Sequence, residues 1–361
     1  MKRILMVAGG TGGHIFPGLA LAEELKDRGV EVVWVGRGNS PEETIAKSAG
    51  FEFERISAGQ ITGKSGFARL QGMAMITAGV FQALRVIEST APDAVIGAGG
   101  FVSVPVLTAS LMKGLKFFML EQNCVPGRVT RFFARWAAEI FLTFPIEGIL
   151  RGRWTVTGTP LRRGIIERCA RIDFTQPPAG GRTLLVLGGS QGARVLNMAA
   201  LDLAATLPNL RVIIVTGRRD YQLVRSLLRS KNCEIVDWTD HPEELYAQAT
   251  LAVTRAGALV LSELLAFGVP MIVVPFPYAA DRHQDANARY VAKAGAAVVL
   301  EQPQLSGLPS LVQRLMAEPE KLELMRQRAK TAARVDAGML IAGRIMAAVS
   351  GEKEGARCLA D

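Results

Sequence analysis

A chain of 361 residues exceeds what one ordinary core organises and suits two domains of about 150–200 residues each, and its 49% hydrophobic and 21% charged content excludes a disordered or low-complexity chain. Cys124, Cys169, Cys233 and Cys358 stand far apart with no C-x-x-C pair, which argues against a zinc site or a disulfide framework and for a reducing cytoplasm. A formal charge of +9 fits nucleic acid, anionic lipid or plain solubility, so its location along the chain decides more than its size.

The opening Met1-Lys2-Arg3 runs into a strand at 4–8, leaving no room for a signal-peptide core, and no uninterrupted apolar run reaches the roughly 18 residues that span a bilayer. Next comes Gly9-Gly10-Thr11-Gly12-Gly13-His14, a glycine turn before a helix predicted at 18–28. Such a turn brings backbone close to a ligand and presents the positive end of a helix to an anion. His14 carries an imidazole that titrates near neutral pH and is the first catalytic candidate; a tight βα turn with a locally packed histidine is the alternative.

A strand at 31–35 follows, then Ser40-Pro41-Glu42-Glu43, an N-cap with proline at the first helical position, predicting a helix to about Ala49. Strand, helix, strand, helix builds a parallel α/β sheet. After a strand at 51–56, the helix predicted at 67–89 is apolar on more than one stripe (Leu70, Met73, Ile76, Val80, Phe81, Leu84) and reads as core, with a membrane-facing surface as the alternative. The strand at 94–97 ends in a second glycine loop, Gly97-Ala98-Gly99-Gly100-Phe101, and the strand at 116–121 ends in Glu121-Gln122-Asn123.

Up to Met112 the chain balances ten Lys/Arg against ten Asp/Glu, whereas residues 113–153 hold seven against three. This basic segment includes a helix predicted at 127–137 with Arg128, Arg131 and Arg135 among Phe132, Phe133 and Trp136, suited either to an anionic membrane surface or to solvent. A strand at 155–157 leads to Gly158-Thr159-Pro160-Leu161-Arg162, and residues 175–181 read as an interdomain connection. The pattern then restarts, as strand, glycine loop and helix, at Leu184 to Gly188-Gly189-Ser190-Gln191-Gly192-Ala193. Two such units place both glycine loops at the carboxyl ends of their first strands, so the binding site is expected in the cleft between domains. Strands at 212–215, 234–237, 251–254 and 271–275 and helices at 220–229, 281–288, 308–316, 319–333 and 337–349 complete the pattern, with a frayed tail from Gly351.

A Rossmann dehydrogenase fits poorly, because G-x-G-x-x-G counted from Gly10 puts Ile15 at the third glycine and Gly36-Arg37 stands where a ribose-binding acid is expected, although Arg37 tolerates an NADP phosphate. A nucleotide-sugar enzyme fits better. Glu263, early in a helix after Gly257, is placed to accept ribose hydroxyls, with Ser190 and helix N-termini on the diphosphate, and no Asp-x-Asp cluster offers a metal site. The structural alternative for Glu263 is a helix N-terminal acid favoured by the dipole.

Taken with Glu121-Gln122-Asn123, Gly158-Thr159-Pro160-Leu161-Arg162, Gly257-Ala258-Leu259 through Ser262-Glu263, and His283-Gln284 with Asn287, the glycine loops Gly9 to His14 and Gly188 to Ala193 resemble the MurG family from Lys2 to about Val349. The resemblance implies a GT-B fold, two Rossmann-like domains with parallel sheets facing across a cleft. The divisions are residues 1–160 on the acceptor and membrane side, 161–335 for the donor, and a last helix at 336–350 crossing back. It implies an inverting, metal-independent and cofactor-free transfer of N-acetylglucosamine from UDP-GlcNAc to the C4 hydroxyl of MurNAc in undecaprenyl-linked MurNAc-pentapeptide (lipid I), giving lipid II. Partners are then the two substrates and an anionic membrane surface, with no nucleic acid, on the cytoplasmic face of the membrane. By position, His14 and Glu263 are the catalytic residues, His14 as the base, and Thr11, Gly12, Gly13, Asn123, Arg162, Ser190, Thr239, Ala258, Leu259, Val260, Leu261, Ser262, Glu263 and Gln284 contact substrate. Thr239 is expected to read uracil through its backbone, and membrane docking falls to some of Phe67, Met73, Met75, Arg128, Arg131, Phe132, Arg135 and Trp136. Phe101 and His283 depart from the tyrosine and glutamine the family pattern carries there. Alternatives on the same fold are another UDP-sugar glycosyltransferase, a UDP-sugar epimerase, or a non-catalytic UDP-sugar-binding subunit.

Overall fold

The computed structural model describes residues 1–60, 65–173, 181–189 and 192–351. Its first sheet contains β1 (Arg3–Val7), β2 (Glu31–Gly36), β3 (Glu52–Arg55), β4 (Ala94–Gly97), β5 (Phe117–Glu121), β6 (Glu139–Leu142) and β7 (Trp154–Val156), in the order β3-β2-β1-β4-β5-β6-β7. The second contains β8 (Thr183–Leu187), β9 (Arg211–Val215), β10 (Cys233–Val236), β11 (Leu251–Thr254), β12 (Met271–Val273) and β13 (Ala297–Val299), in the order β10-β9-β8-β11-β12-β13. Every pairing is parallel. In both sheets the order reverses beside the first strand, where α/β sheets open a crevice for ligands.

Both faces of each sheet are buried, which explains why the strands read as near-continuous apolar runs. In β1, Ile4 and Met6 join one core cluster while Leu5 and Val7 join another. In β8, Leu185 and Leu187 face one cluster while Leu184 and Val186 face the other. The helix Ala337–Ser350 returns to the first sheet, placing Ile341, Ala342 and Ile345 in the cluster of Ile4 and Met6. Arg344 fastens it by donating from Nε and Nη2 to the buried Glu139 carboxylate.

Four local expectations change. The first helix runs Gly12–Asp27, six residues ahead of the predicted start, so His14 sits in its first turn; Pro17, inside it, supplies no N–H to the Gly13 carbonyl. The strands β6 and β13 and the helices Arg163–Ala170 and Pro242–Tyr246 were not anticipated, their apolar runs being only a few residues long. The basic helix is shorter, Arg128–Phe133, and continues as a 3₁₀ turn Ala134–Trp136.

The fourth change is the helix Gly66–Thr90, whose buried apolar side chains all lie from Ala83 onward. Ala83, Val86 and Ile87 are buried there, whereas Phe67 is 82%, Leu70 64% and Phe81 63% exposed. Measured over a window rather than an uninterrupted run, it is also long and apolar enough to cross a membrane. The interdomain connection at 175–181 falls, except for Gly181, outside the described residues, as does the tail beyond Gly351.

Candidate active site in the interdomain cleft

On the wall formed by the first sheet, β1 delivers the chain into the glycine loop and the helix Gly12–Asp27 presents His14. Its Nδ1 lies 3.2 Å from Thr11 Oγ1. The ring rests on the second glycine loop: a Cβ on Gly99, where φ is +91°, would stand 3.1 Å from His14 Cδ2, so a side chain there would displace the imidazole. Burial, followed by the positive charge of His283, pushes the His14 pKa down to about 4. The imidazole is therefore neutral near pH 7, the form that accepts a proton. Neither Thr11 nor any acid caps this helix, so the N–H groups at Gly12 and Gly13 stay open to an anion.

The opposite wall is the helix Ala258–Ala266, which follows β11. Its N-cap is Gly257 and no side chain caps it, leaving the N–H groups of Ala258, Leu259 and Val260 for a ligand. Leu261 differs from these. Its side chain is in the core and its N–H donates to the Gly257 carbonyl, so of the predicted run it has no group left to offer. The Ser262 hydroxyl donates to the Ala258 carbonyl.

Glu263, 2% exposed, accepts from Arg162 Nη2 at 3.3 Å and from the Tyr246 hydroxyl at 2.8 Å. Burial raises its pKa while Arg162 and Tyr246 draw it back. Arg162 also donates to the Asp240 carbonyl and lies over the Phe16 ring, 4.7 Å from its centroid. Phe16 is two residues from His14 on the same helix. One arginine thus ties the carboxylate of the second wall to the helix that carries the imidazole of the first.

Across the cleft the strongest neutral link is Asn287, fully buried, whose Oδ1 accepts from the Cys124 N–H and whose Nδ2 donates to Asn123 Oδ1 and the Ala256 carbonyl. Asn123 therefore serves as an interdomain clamp. Gln284 accepts the Phe276 N–H, and Thr239 Oγ1 accepts the His241 N–H, so both side chains shape their own loops. Ser190 lies outside the described residues. Sequence reasoning missed Tyr246 and Phe16 altogether and gave Asn287 no role; the only local signal for Asn287 was its place one turn after Gln284.

A neutral base on one wall, and on the other a carboxylate beside open helix N–H groups, is what a sugar-nucleotide transfer needs: a proton acceptor for the incoming hydroxyl and a seat for the nucleoside diphosphate that leaves. On two facing parallel sheets this defines a glycosyltransferase of the GT-B class.

Residues 4–142 match the glycosyltransferase family 28 N-terminal domain and residues 183–339 its C-terminal domain. The chain is 38% identical over 347 residues to the UDP-N-acetylglucosamine--N-acetylmuramyl-(pentapeptide) pyrophosphoryl-undecaprenol N-acetylglucosamine transferase of Methylococcus capsulatus, covering 94% of this chain and 97% of that protein. It is 35% identical to the transferase of the same name from Geobacter metallireducens, covering 97% and 100%. The crystal structure of Acinetobacter baumannii MurG superposes with a TM-score of 0.76 at 28% identity, covering 96% of this chain and 99% of that one. The chain belongs to this family of N-acetylglucosaminyltransferases. Membership removes the dehydrogenase, epimerase and non-catalytic readings, and Arg37 is engaged elsewhere, over the Phe101 ring.

Proposed function

We propose that the protein transfers N-acetylglucosamine from UDP-GlcNAc to the C4 hydroxyl of the MurNAc sugar of undecaprenyl-pyrophosphoryl-MurNAc-pentapeptide, with inversion, in peptidoglycan synthesis. Residues 1–160 take the acceptor and 161–335 the donor. The observation that carries this reading is the full-length match to transferases of that name, joined to a cleft in which His14 and Glu263 belong to walls bridged by Arg162. His14 accepts the proton of the attacking hydroxyl. The open N–H groups of Ala258, Leu259 and Val260 stabilise the charge that develops on the departing UDP, a type of contact worth about 3–4 kcal/mol for each preorganised donor. Glu263 orients the ribose, its remaining carboxylate lone pairs accepting a sugar hydroxyl while Arg162 and Tyr246 hold its direction.

The membrane is reached as a peripheral surface on the cytoplasmic side, through the exposed Phe67, Leu70, Met73 and Phe81 of the long helix with Phe132 and Trp136. The arginines contribute less than their spacing promised. Arg131 pairs with Asp281 at 2.6 Å, Arg128 stands 4.0 Å from the same carboxylate, and Arg135 stacks 3.7 Å over the Trp136 ring. Labelled UDP-GlcNAc incubated with a lipid-linked MurNAc-pentapeptide tests the reaction: transfer of label to the lipid is expected, and release of free sugar or of an epimer alone would contradict it. Co-sedimentation with anionic vesicles tests the surface: Phe67→Ser with Phe81→Ser should reduce binding, and unchanged binding would place the contact elsewhere.

A further inference from the structure

The loop that joins β12 to the helix His283–Lys293 carries aromatic side chains outward from a buried base. Arg255, 8% exposed, donates to the Val274 and Pro275 carbonyls, and its guanidinium lies against the Phe276 ring, with Cζ 5.5 Å from the centroid. The Tyr278 ring meets Phe276 edge-on at 5.7 Å. Phe276 is 40% exposed and Tyr278 83%, so the stack ends in solvent.

This loop is held in shape. Asp281 and Arg282 both take left-handed backbone conformations, with φ of +50° and +52°, which non-glycine residues keep only where their surroundings impose them. Gln284 accepts the Phe276 N–H, the Ala279 carbonyl accepts the Arg282 N–H, and the Arg282 side chain pairs with Asp285. Across the cleft, Asp281 accepts from Arg131 at 2.6 Å.

That last contact sets the loop beside the first domain's exposed aromatics. Arg131 precedes Phe132, which is 64% exposed and lies 5.8 Å from the ring of Trp136. Exposed aromatic surface therefore stands on both sides of one ion pair, Phe132 and Trp136 on the first domain and Phe276 and Tyr278 on the second. Positive charge surrounds it. The side chains of Arg128, Arg282 and Arg289 are 60–77% exposed, and the acids they meet, Asp281, Asp285 and Glu147, are each engaged by an arginine. Aromatic rings among surplus arginines suit the interfacial zone of an anionic bilayer, where a ring is half buried and a guanidinium meets phosphate.

We propose that the loop at 276–282 is a second bilayer contact, on the donor domain, with Phe276 and Tyr278 seated in the interfacial zone of an anionic membrane beside Phe132 and Trp136. The inference rests on the peripheral-membrane reading of the preceding section and extends it from one domain to both. Because the loop leads directly into Gln284 and Asn287, the bilayer then bears on both walls of the cleft.

Co-sedimentation of the full chain with phosphatidylglycerol–phosphatidylethanolamine vesicles tests it. Tyr278→Ser, with a wild-type Tm, should weaken vesicle binding about threefold to tenfold, the range for part of one aromatic ring leaving the interface. Tyr278→Trp should bind at least as tightly as wild type. With a short-chain prenyl-pyrophosphoryl acceptor in detergent and no vesicles, Tyr278→Ser should keep the wild-type KM for both substrates. Wild-type vesicle binding by Tyr278→Ser would overturn the proposal. A raised acceptor KM would then put the ring on the substrate, and weaker self-association in light scattering would put it on a second copy. Weakened binding in Phe67→Ser with Phe81→Ser but not in Tyr278→Ser would leave the peripheral-membrane reading standing without this inference. A wild-type protein that does not bind the vesicles would remove both.

Discussion

On the wall of the first sheet His14 rests against backbone, with the Gly99 loop under its ring and the Thr11 hydroxyl beside Nδ1, while on the opposite wall Glu263 is locked between Arg162 and Tyr246. Both walls use the same strand, loop and helix plan, yet they hold His14 and Glu263, the groups proposed to act on the substrates, in opposite ways. A group that moves a proton has to change charge without breaking its surroundings, and bare glycine backbone permits that. A group that orients a ligand gains from a fixed direction, which a buried ion pair and a hydroxyl supply.

His14→Ala should reduce kcat by about a hundredfold to ten-thousandfold, the range for a lost general base, with UDP-GlcNAc affinity nearly unchanged by calorimetry. Glu263→Ala should do the reverse. It leaves Arg162 without its carboxylate and the Tyr246 hydroxyl without its acceptor, so stability should fall by about 3–5 kcal/mol in denaturant unfolding, as when one partner of a buried pair is removed, and donor KM should rise more than kcat falls. Asn287→Ala removes three hydrogen bonds, two of which cross the cleft, and leaves the Cys124 N–H without that partner, a loss of about 1–3 kcal/mol. Small-angle scattering should show a wider average domain separation. The smallest effect belongs to Asp281→Asn: its pair with Arg131 is surface-exposed, so stability should change by no more than about 1 kcal/mol.

Acid sharpens the same contrast. With a folded pKa of about 4 against 6.5 for the free imidazole, the unfolded chain binds a proton between those values that folded His14 refuses. Stability therefore falls as pH drops from 6.5 toward 4, through the linkage between proton binding and unfolding. His14→Gln should lose less over that window in pH-dependent thermal melts. The His14 contribution to the acid limb of kcat/KM for the free enzyme should lie well below 6.5, and a His14-dependent limb near 6.5 would contradict a desolvated imidazole.

Much of this fold is readable from local pattern. The helix Leu308–Met316 matches its predicted bounds because Gly307, Pro309 and the spacing of Leu308, Leu311, Val312 and Leu315 agree. The helix Pro41–Ser48 begins where Ser40 and Pro41 said it would, with Ser40 Oγ accepting the Glu43 N–H. What escaped is non-local. β6 is four residues long and acquires meaning only between β5 and β7. Tyr246 and Asn287 matter through partners 17 and more than 160 positions away. The helix Gly66–Thr90 failed for a different reason: apolar periodicity says that a surface requires cover, and among the described residues Phe67, Leu70 and Met73 of its first half stay exposed. The basic stripe acquires a partner that its own spacing does not show, because Asp281, 150 residues on from Arg131, pairs with that one arginine.

The central claim is that the two walls act on one sugar nucleotide, and a crystal structure with bound UDP-GlcNAc tests it most directly. The account predicts ribose hydroxyls within hydrogen-bond distance of Glu263, the diphosphate at the N-terminus of the helix Ala258–Ala266, and the anomeric carbon turned toward His14. A ligand seated with its ribose away from Glu263, or with its sugar pointing out of the cleft, would contradict it.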